Sequence, residues 1–371
     1  MQHLLELLKI IDGALKSDRS QVVAYTAQLA EKLESDGDSN TAEKLKRSLS
    51  RIKSRELTLS ESASIGRIPV DSESRMALAE HRRYTKDEVK VFLGNDEWRV
   101  VKEFLLGIQH ADKLIAKGVR VSPSLLLYGP PGCGKTELAK YIAAQLGITL
   151  LTARADSLVS SYLGSTSKNI RGLFEHAGAS PCILFLDEFD ALAKLRDDQH
   201  ELGELKRVVV SLVQNIDAID SNTILIAATN HEHLLDPAVW RRFAYKLHVN
   251  KPNESARKQI IGWILEAFAS SRQNELFAKV GDGLTGAEIR EACENEKRVS
   301  IIANRSRIDE SRLLLRLLSL RLPAIVDPTR SVADKLRNAR QVDRSVFTYR
   351  RLSDMFGIST GQISNLIRDI A

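Results

Sequence analysis

The stretch GPPGCGKT, Gly129 to Thr136, follows the apolar run SLLLY directly and precedes ELAKYIAAQL, which has helical spacing. Glycines at these intervals, closed by a lysine and a hydroxyl residue, suit a loop that wraps phosphate groups between a strand and a helix. Gly129, Pro130 and Pro131 open this loop. The backbone N–H groups from Gly132 through Cys133 and Gly134 to Lys135 and Thr136 can surround the phosphates, and the helix N-terminus adds a favourable dipole. Lys135 would reach the β and γ phosphates of ATP, and the Thr136 hydroxyl would ligate Mg²⁺. Cys133 is either a small tolerated side chain in the loop or a redox-sensitive one.

Four further stretches carry chemistry. CILFLDEFD, 182–190, is an apolar run ending in two carboxylates about fifty residues after the phosphate loop. Asp187 can hold Mg²⁺ through water, and Glu188 can orient and deprotonate an attacking water. TILIAATN puts the amide of Asn230 at the tip of another strand on the same sheet edge, where it can position that water. Arg241 and Arg242 are adjacent, just before an apolar stretch; they are either a pair of surface arginines or cations completing a neighbouring subunit's nucleotide site. NHEHLLD is not the H-E-x-x-H zinc motif, because Leu235 stands where the second histidine is required. Finally, SYLGS sets Tyr162, Leu163 and Gly164 among serines, a composition for an exposed loop tip. The tyrosine there either packs back on its own domain or contacts another molecule.

The elements that must position these residues follow from apolar patterning. SLLLYG, ITLLTA, CILFLD and TILIAATN are continuous apolar runs of strand length alternating with helical stretches, which predicts an α/β domain with a parallel sheet buried on both faces. Residues 1–53 read as three helices, with Leu4, Leu5, Leu8 and Ile11 along one face of the first and a capping box of Asn40 and Glu43 opening the third. Residues 54–87 read as a linker, 88–250 as the α/β domain, 251–321 as a helical lid and 322–371 as a helical tail. The composition, 27% charged and 43% apolar, is ordinary for a globular protein. No apolar run approaches the roughly 20 residues that span a bilayer, and the start lacks the features of a signal peptide. The three cysteines form neither a disulfide framework nor a metal pattern, so a cytoplasmic location without a membrane partner is expected.

In order and spacing, the phosphate loop, LDEFD, AATN, LLDPAVWRRF and GLTGAEIREAC resemble the AAA ATPases over about residues 88–305. The likeness is to the single-cassette branch that remodels proteins. It implies a homo-oligomeric ring, usually a hexamer, with ATP at subunit interfaces. It further implies that Asn230 is the first sensor, that Arg241 and Arg242 are arginine fingers, and that Gly286 and Ala287 lie against the adenine. It also implies that Tyr162, Leu163 and Gly164 form a pore loop gripping an extended protein substrate. VFLG, 91–94, departs from the family's Asp-Ile-Gly-Gly, so Phe92 and Leu93 would alter the adenine contacts. NIDAIDSN departs from the usual stretch before the first sensor, with Asp217 keeping an acidic position.

Two function classes remain open. One is an Mg²⁺-ATP-driven unfoldase; small bacterial AAA ATPases paired with a subtilisin-like serine protease in plasmid exclusion and phage defence resemble this arrangement. The other is a DNA-associated ATPase. Residues 301–371 hold thirteen Lys and Arg against seven Asp and Glu, which accounts for the whole net charge of +6. TYRRLSDMFGISTGQISNLIRDI, 348–370, resembles a helix-turn-helix with Gly357 at the turn. Its second helix would present Ser359, Thr360, Gln362, Asn365 and Arg368 to DNA, unless the pair is simply a packed helical hairpin.

Overall fold

The computed structural model describes residues 3–15, 19–53, 69–71, 75–154, 158, 165–179, 181–193, 202–219 and 223–368. The chain divides into two units, one of Met1–Val91, Arg99–Gly129 and Lys135–His248, the other of Phe92–Trp98, Pro130–Gly134 and Val249–Ala371.

The first unit begins with helices α1 (Leu4–Leu15), α2 (Arg19–Ser35) and α3 (Ser39–Lys53). The leucine face expected to pack is not the buried one. Leu8 and Ile11 are exposed, while Glu6, Lys9 and Gly13 are buried. The cause is local: a Cβ on Gly13 would lie 3.1 Å from Val22, so the glycine admits α2 on that side, where Lys32 pairs with Glu6 at 2.5 Å. The start of α3 also differs from expectation. Asp38, not Asn40, accepts from the Thr41 N–H at 3.1 Å, so the helix opens two residues earlier.

The sheet of this unit has six strands: β1 (Glu80–Arg82), β2 (Ser124–Tyr128), β3 (Thr149–Arg154), β4 (Cys182–Asp187), β5 (Ile224–Thr229) and β6 (Tyr245–His248), in spatial order β1-β3-β4-β5-β2-β6. All neighbours are parallel except β1, which runs antiparallel along β3. Thus part of the stretch read as linker is a sheet edge, and Leu78, Ala79 and Val89 around it are buried. The remaining helices of the unit are α4 (Asn95–Gln109, which begins in the other unit), α5 (Ala111–Ala116), α6 (Lys135–Leu146), α7 (Ser165–Ala179), α8 (Asp190–Ala193), α9 (Leu202–Ala218) and α10 (Pro237–Trp240). Leu126, Leu151, Leu184 and Leu225 from four adjacent strands share a core with Ile170 and Leu173 of α7 and Leu212 of α9. Strands covered this way must be apolar throughout, which is why they read as runs and not as alternation.

The second unit is helical: α11 (Glu254–Leu265), α12 (Ser271–Val280), α13 (Gly286–Ile302), α14 (Glu310–Arg321), α15 (Val332–Val342), α16 (Tyr349–Phe356) and α17 (Thr360–Arg368). Leu313 and Leu317 of α14 share one core with Leu336, Phe347, Leu352 and Ile363, so the tail helices pack continuously with the lid helices. Among the described residues no helix is long and apolar enough to cross a membrane.

Candidate nucleotide site

Parallel alignment puts the C-terminal ends of β4, β5 and β2 side by side at one edge of the sheet. Ligands of open α/β sheets bind at such an edge, where the strand order reverses. Gly129 follows β2, Asp187 closes β4 and Asn230, half-buried, follows β5. The phosphate loop leads into α6, whose first residue is Lys135. Lys135 is 7% exposed, and its Nζ donates to the Gly129 carbonyl at 2.6 Å, so the ammonium folds over its own loop. Thr136 Oγ1 donates to Asp187 Oδ2 at 2.8 Å. These two oxygens are a hydroxyl and a carboxylate, the donor types a hard cation prefers, and they are already adjacent.

Glu188 has φ 53°, a left-handed backbone that non-glycine residues seldom adopt. Such strain persists only where surrounding structure imposes it, and it clusters at functional sites. Here the Glu188 N–H donates to Asp187 Oδ1 at 3.0 Å and the Phe189 N–H to the Ala228 carbonyl at 2.8 Å, which ties this turn to β5. The Glu188 carboxylate stands 3.7 Å from the Arg154 guanidinium at the end of β3. Arg154 carried no chemical signal in the sequence beyond its place directly after the apolar run ITLLTA. Asp190, also unassigned, accepts from Thr229 Oγ1 at 2.8 Å and fixes the end of β5 beside Asn230.

Within the second unit, Gly132 and Gly134 have φ 73° and 97°. A Cβ on Gly132 would lie 3.1 Å from both Ala287 Cβ and Thr285 Oγ1, and the Ala287 N–H donates to the Gly132 carbonyl at 3.0 Å. GLTGAEI is therefore a helix start: Thr285 caps α13 in a capping box with Glu288, and Gly286 and Ala287 abut the loop segment 130–134. Phe92 packs against Trp263 with ring centroids 6.1 Å apart, and Leu93 is half-buried. Cys133 is half-buried and Cys293 fully buried. Burial pushes the Cys293 thiol up to about 12, and does the same for Cys182 in the first unit, so neither is a reactive thiolate at neutral pH.

The two candidate fingers differ. Arg241 is exposed and makes no ion pair among the described residues. Arg242 forms a two-pronged pair with Asp217, Nε to Oδ1 and Nη2 to Oδ2 each at 3.1 Å, and its Nη1 donates to the Ala238 carbonyl at 3.2 Å. Asp217 lies in the last turn of α9, so the NIDAIDSN stretch before β5 is helix up to Ala218. Tyr162, Leu163 and Gly164 lie outside the described residues.

Gly129 after β2, the Thr136–Asp187 pair and the strained Glu188 thus stand at one edge of the sheet. The family model for the ATPase family associated with various cellular activities (AAA) matches residues 125–251, so the chain carries an AAA ATPase domain, whose chemistry is ATP hydrolysis. An uncharacterized AAA family ATPase, y4kL, of Sinorhizobium fredii is 41% identical over 230 residues, 60% of this chain and 64% of that protein. The ATPase family gene 2 protein of Schizosaccharomyces pombe is 36% identical over 194 residues, 50% of this chain and 24% of that protein. The chain thus matches less than two thirds of the length of either relative.

Proposed function

We propose that the protein is an ATP-driven remodeller of other proteins that works as a homo-oligomeric ring, the hexamer being the size its resemblance to the AAA ATPases supports. The observation that carries the ATP-driven part is the convergence of Lys135, Thr136, Asp187, Glu188 and Asn230 at one sheet edge. Lys135 Nζ would leave the Gly129 carbonyl and take up β/γ-phosphate oxygens, the stronger charge-assisted partner. Mg²⁺ held by Thr136 Oγ1 and, through water, Asp187 would offset charge on the phosphates. Glu188 accepts the proton of the attacking water, and the Asn230 amide orients that water. Arg241 and Arg242 would act on the nucleotide of the neighbouring subunit, as arginine fingers do. Phe92, Leu93, Gly286 and Ala287 would shape the adenine subsite.

The remodelling part rests on SYLGS, whose Tyr162 and Leu163 suit non-directional apolar grip on an extended chain. Delivery of that chain to a separate serine protease, in bacterial defence or plasmid exclusion, is the partner arrangement that the resemblance favours. The test compares two variants. Glu188→Gln should bind ATP and retain it, whereas Lys135→Ala should fail to bind it. Normal turnover by Glu188→Gln would remove Glu188 as the base. A pull-down with the stalled Glu188→Gln ring then identifies substrate and protease partners.

A further inference from the structure

We propose that the C-terminal helices α15, α16 and α17 bind double-stranded DNA, with α17 lying in the major groove. The three helices form a small body of the kind in which a second helix crosses the phosphate backbone and a third reads bases. Leu336 and Ala339 of α15, Phe347, Leu352 of α16 and Ile363 of α17 make its core. The turn from α16 to α17 is three residues long and starts at Gly357, whose φ of 67° is the left-handed helix cap. Ser359 then caps α17 reciprocally with Gln362.

Charge is divided in a telling way. Some arginines are engaged in packing: Arg337 donates to the Leu366 carbonyl at 3.2 Å and Arg340 sits over the Tyr349 ring within the body, while Arg351 ties it to α14 through Glu310 at 3.4 Å. Arg344, in the link before α16, and Arg350, in its first turn, are exposed and have no ion-pair partner among the described residues. Arg344 precedes, and Arg350 lies on, the helix that would cross the phosphates. The outward face of α17 carries no acid among its described side chains. Thr360, Gly361, Gln362 and Asn365 are all exposed there, behind exposed Ser359. Asparagine pairs bidentately with adenine N6 and N7, which suits Asn365, whereas the Gln362 carboxamide oxygen is held by the Ser359 cap. Gly361 supports the same reading. A Cβ there would meet nothing within 4 Å, so the fold itself does not require glycine at this helical position. Glycine weakens a helix, and it is at home where another backbone comes close. Residues 332–368 hold seven Lys and Arg against three Asp and Glu, an excess of complementary charge.

The test uses the full chain and a pool of random 30-base-pair duplexes, with binding read by fluorescence anisotropy across salt concentrations. Repeated selection should enrich one sequence. Asn365→Ala should cut the preference for that sequence over a scrambled duplex by about 5- to 150-fold while leaving scrambled binding intact. The double change Arg344→Ala, Arg350→Ala should weaken both, and should reduce the slope of log affinity against log salt by about 2. All these residues lie outside the nucleotide machinery, so ATP turnover should persist, and failure of DNA binding is thereby separable from failure of the ATPase reading. No duplex binding at 50 mM salt, no enriched sequence, or an unchanged salt slope in the double variant would overturn the proposal.

Discussion

Glu188→Gly should give an inactive protein that is more stable than Glu188→Ala. An L-residue in the left-handed region costs about 1–2 kcal/mol, and Glu188 holds φ 53°. Glycine removes that cost but loses about 0.5–1 kcal/mol through its freer unfolded chain. The proper reference is Glu188→Ala, which keeps the strain and equally lacks the exposed pair with Arg154. The glycine variant should therefore be more stable than the alanine variant by about 0.5–1 kcal/mol. At 2–4 °C per kcal/mol for a domain of this size, that is a midpoint about 1–4 °C higher. Calorimetry without nucleotide measures it, and both variants should lack ATP turnover. A glycine variant melting at or below the alanine variant would refute the view that this turn stores strain to aim the carboxylate.

Other outcomes follow from the same geometry. Arg242→Ala should leave ATP binding nearly intact and cut hydrolysis by about 10³-fold; mixing it with Lys135→Ala subunits should restore some turnover, and no regain in confirmed mixed rings would count against action in trans. Asp217→Ala frees the Arg242 guanidinium from its two-pronged pair, so ATP binding should persist while the finger loses its fixed aim; an unchanged turnover would show that the pair has no positioning role. His176 is held below its ordinary pKa, first by burial and then by His81, and neither His176 Nε2 nor His81 Nδ1 has a hydrogen-bond partner among the described residues. The unfolded state thus takes up the proton first, so stability should fall as pH drops below about 6.5. His176→Gln should flatten that fall in a pH series of melting curves, and an unaltered profile would refute it.

The central strands were legible because burial on both faces leaves no polar alternation to confuse them. Residues 80–82, Glu-His-Arg, carry no apolar signal, and their place on the sheet comes from pairing with β3, which no local pattern encodes. The places of Gly129–Thr136 between β2 and α6 and of Asp187 and Glu188 at the end of β4 could be read because fixed residue types recur there at fixed local spacing. The Arg242–Asp217 pair could not, since its partners are 25 positions apart and meet only through the fold. In α1 the leucines suggested the buried face, but Gly13 decided otherwise by letting α2 approach the polar side. The two tail helices and the Gly357 turn between them were visible, whereas their shared core with α14 depends on packing across distant segments.

The most direct test of protein remodelling is the ATPase rate with and without unfolded casein, in the wild-type chain and in Tyr162→Ala. The change leaves Lys135, Thr136, Asp187, Glu188 and the two arginines untouched, so basal turnover should be equal in both. Casein should accelerate the wild-type chain and leave Tyr162→Ala at its basal rate. Equal stimulation of the two, or none in the wild-type chain, would contradict a ring that grips protein through this tyrosine.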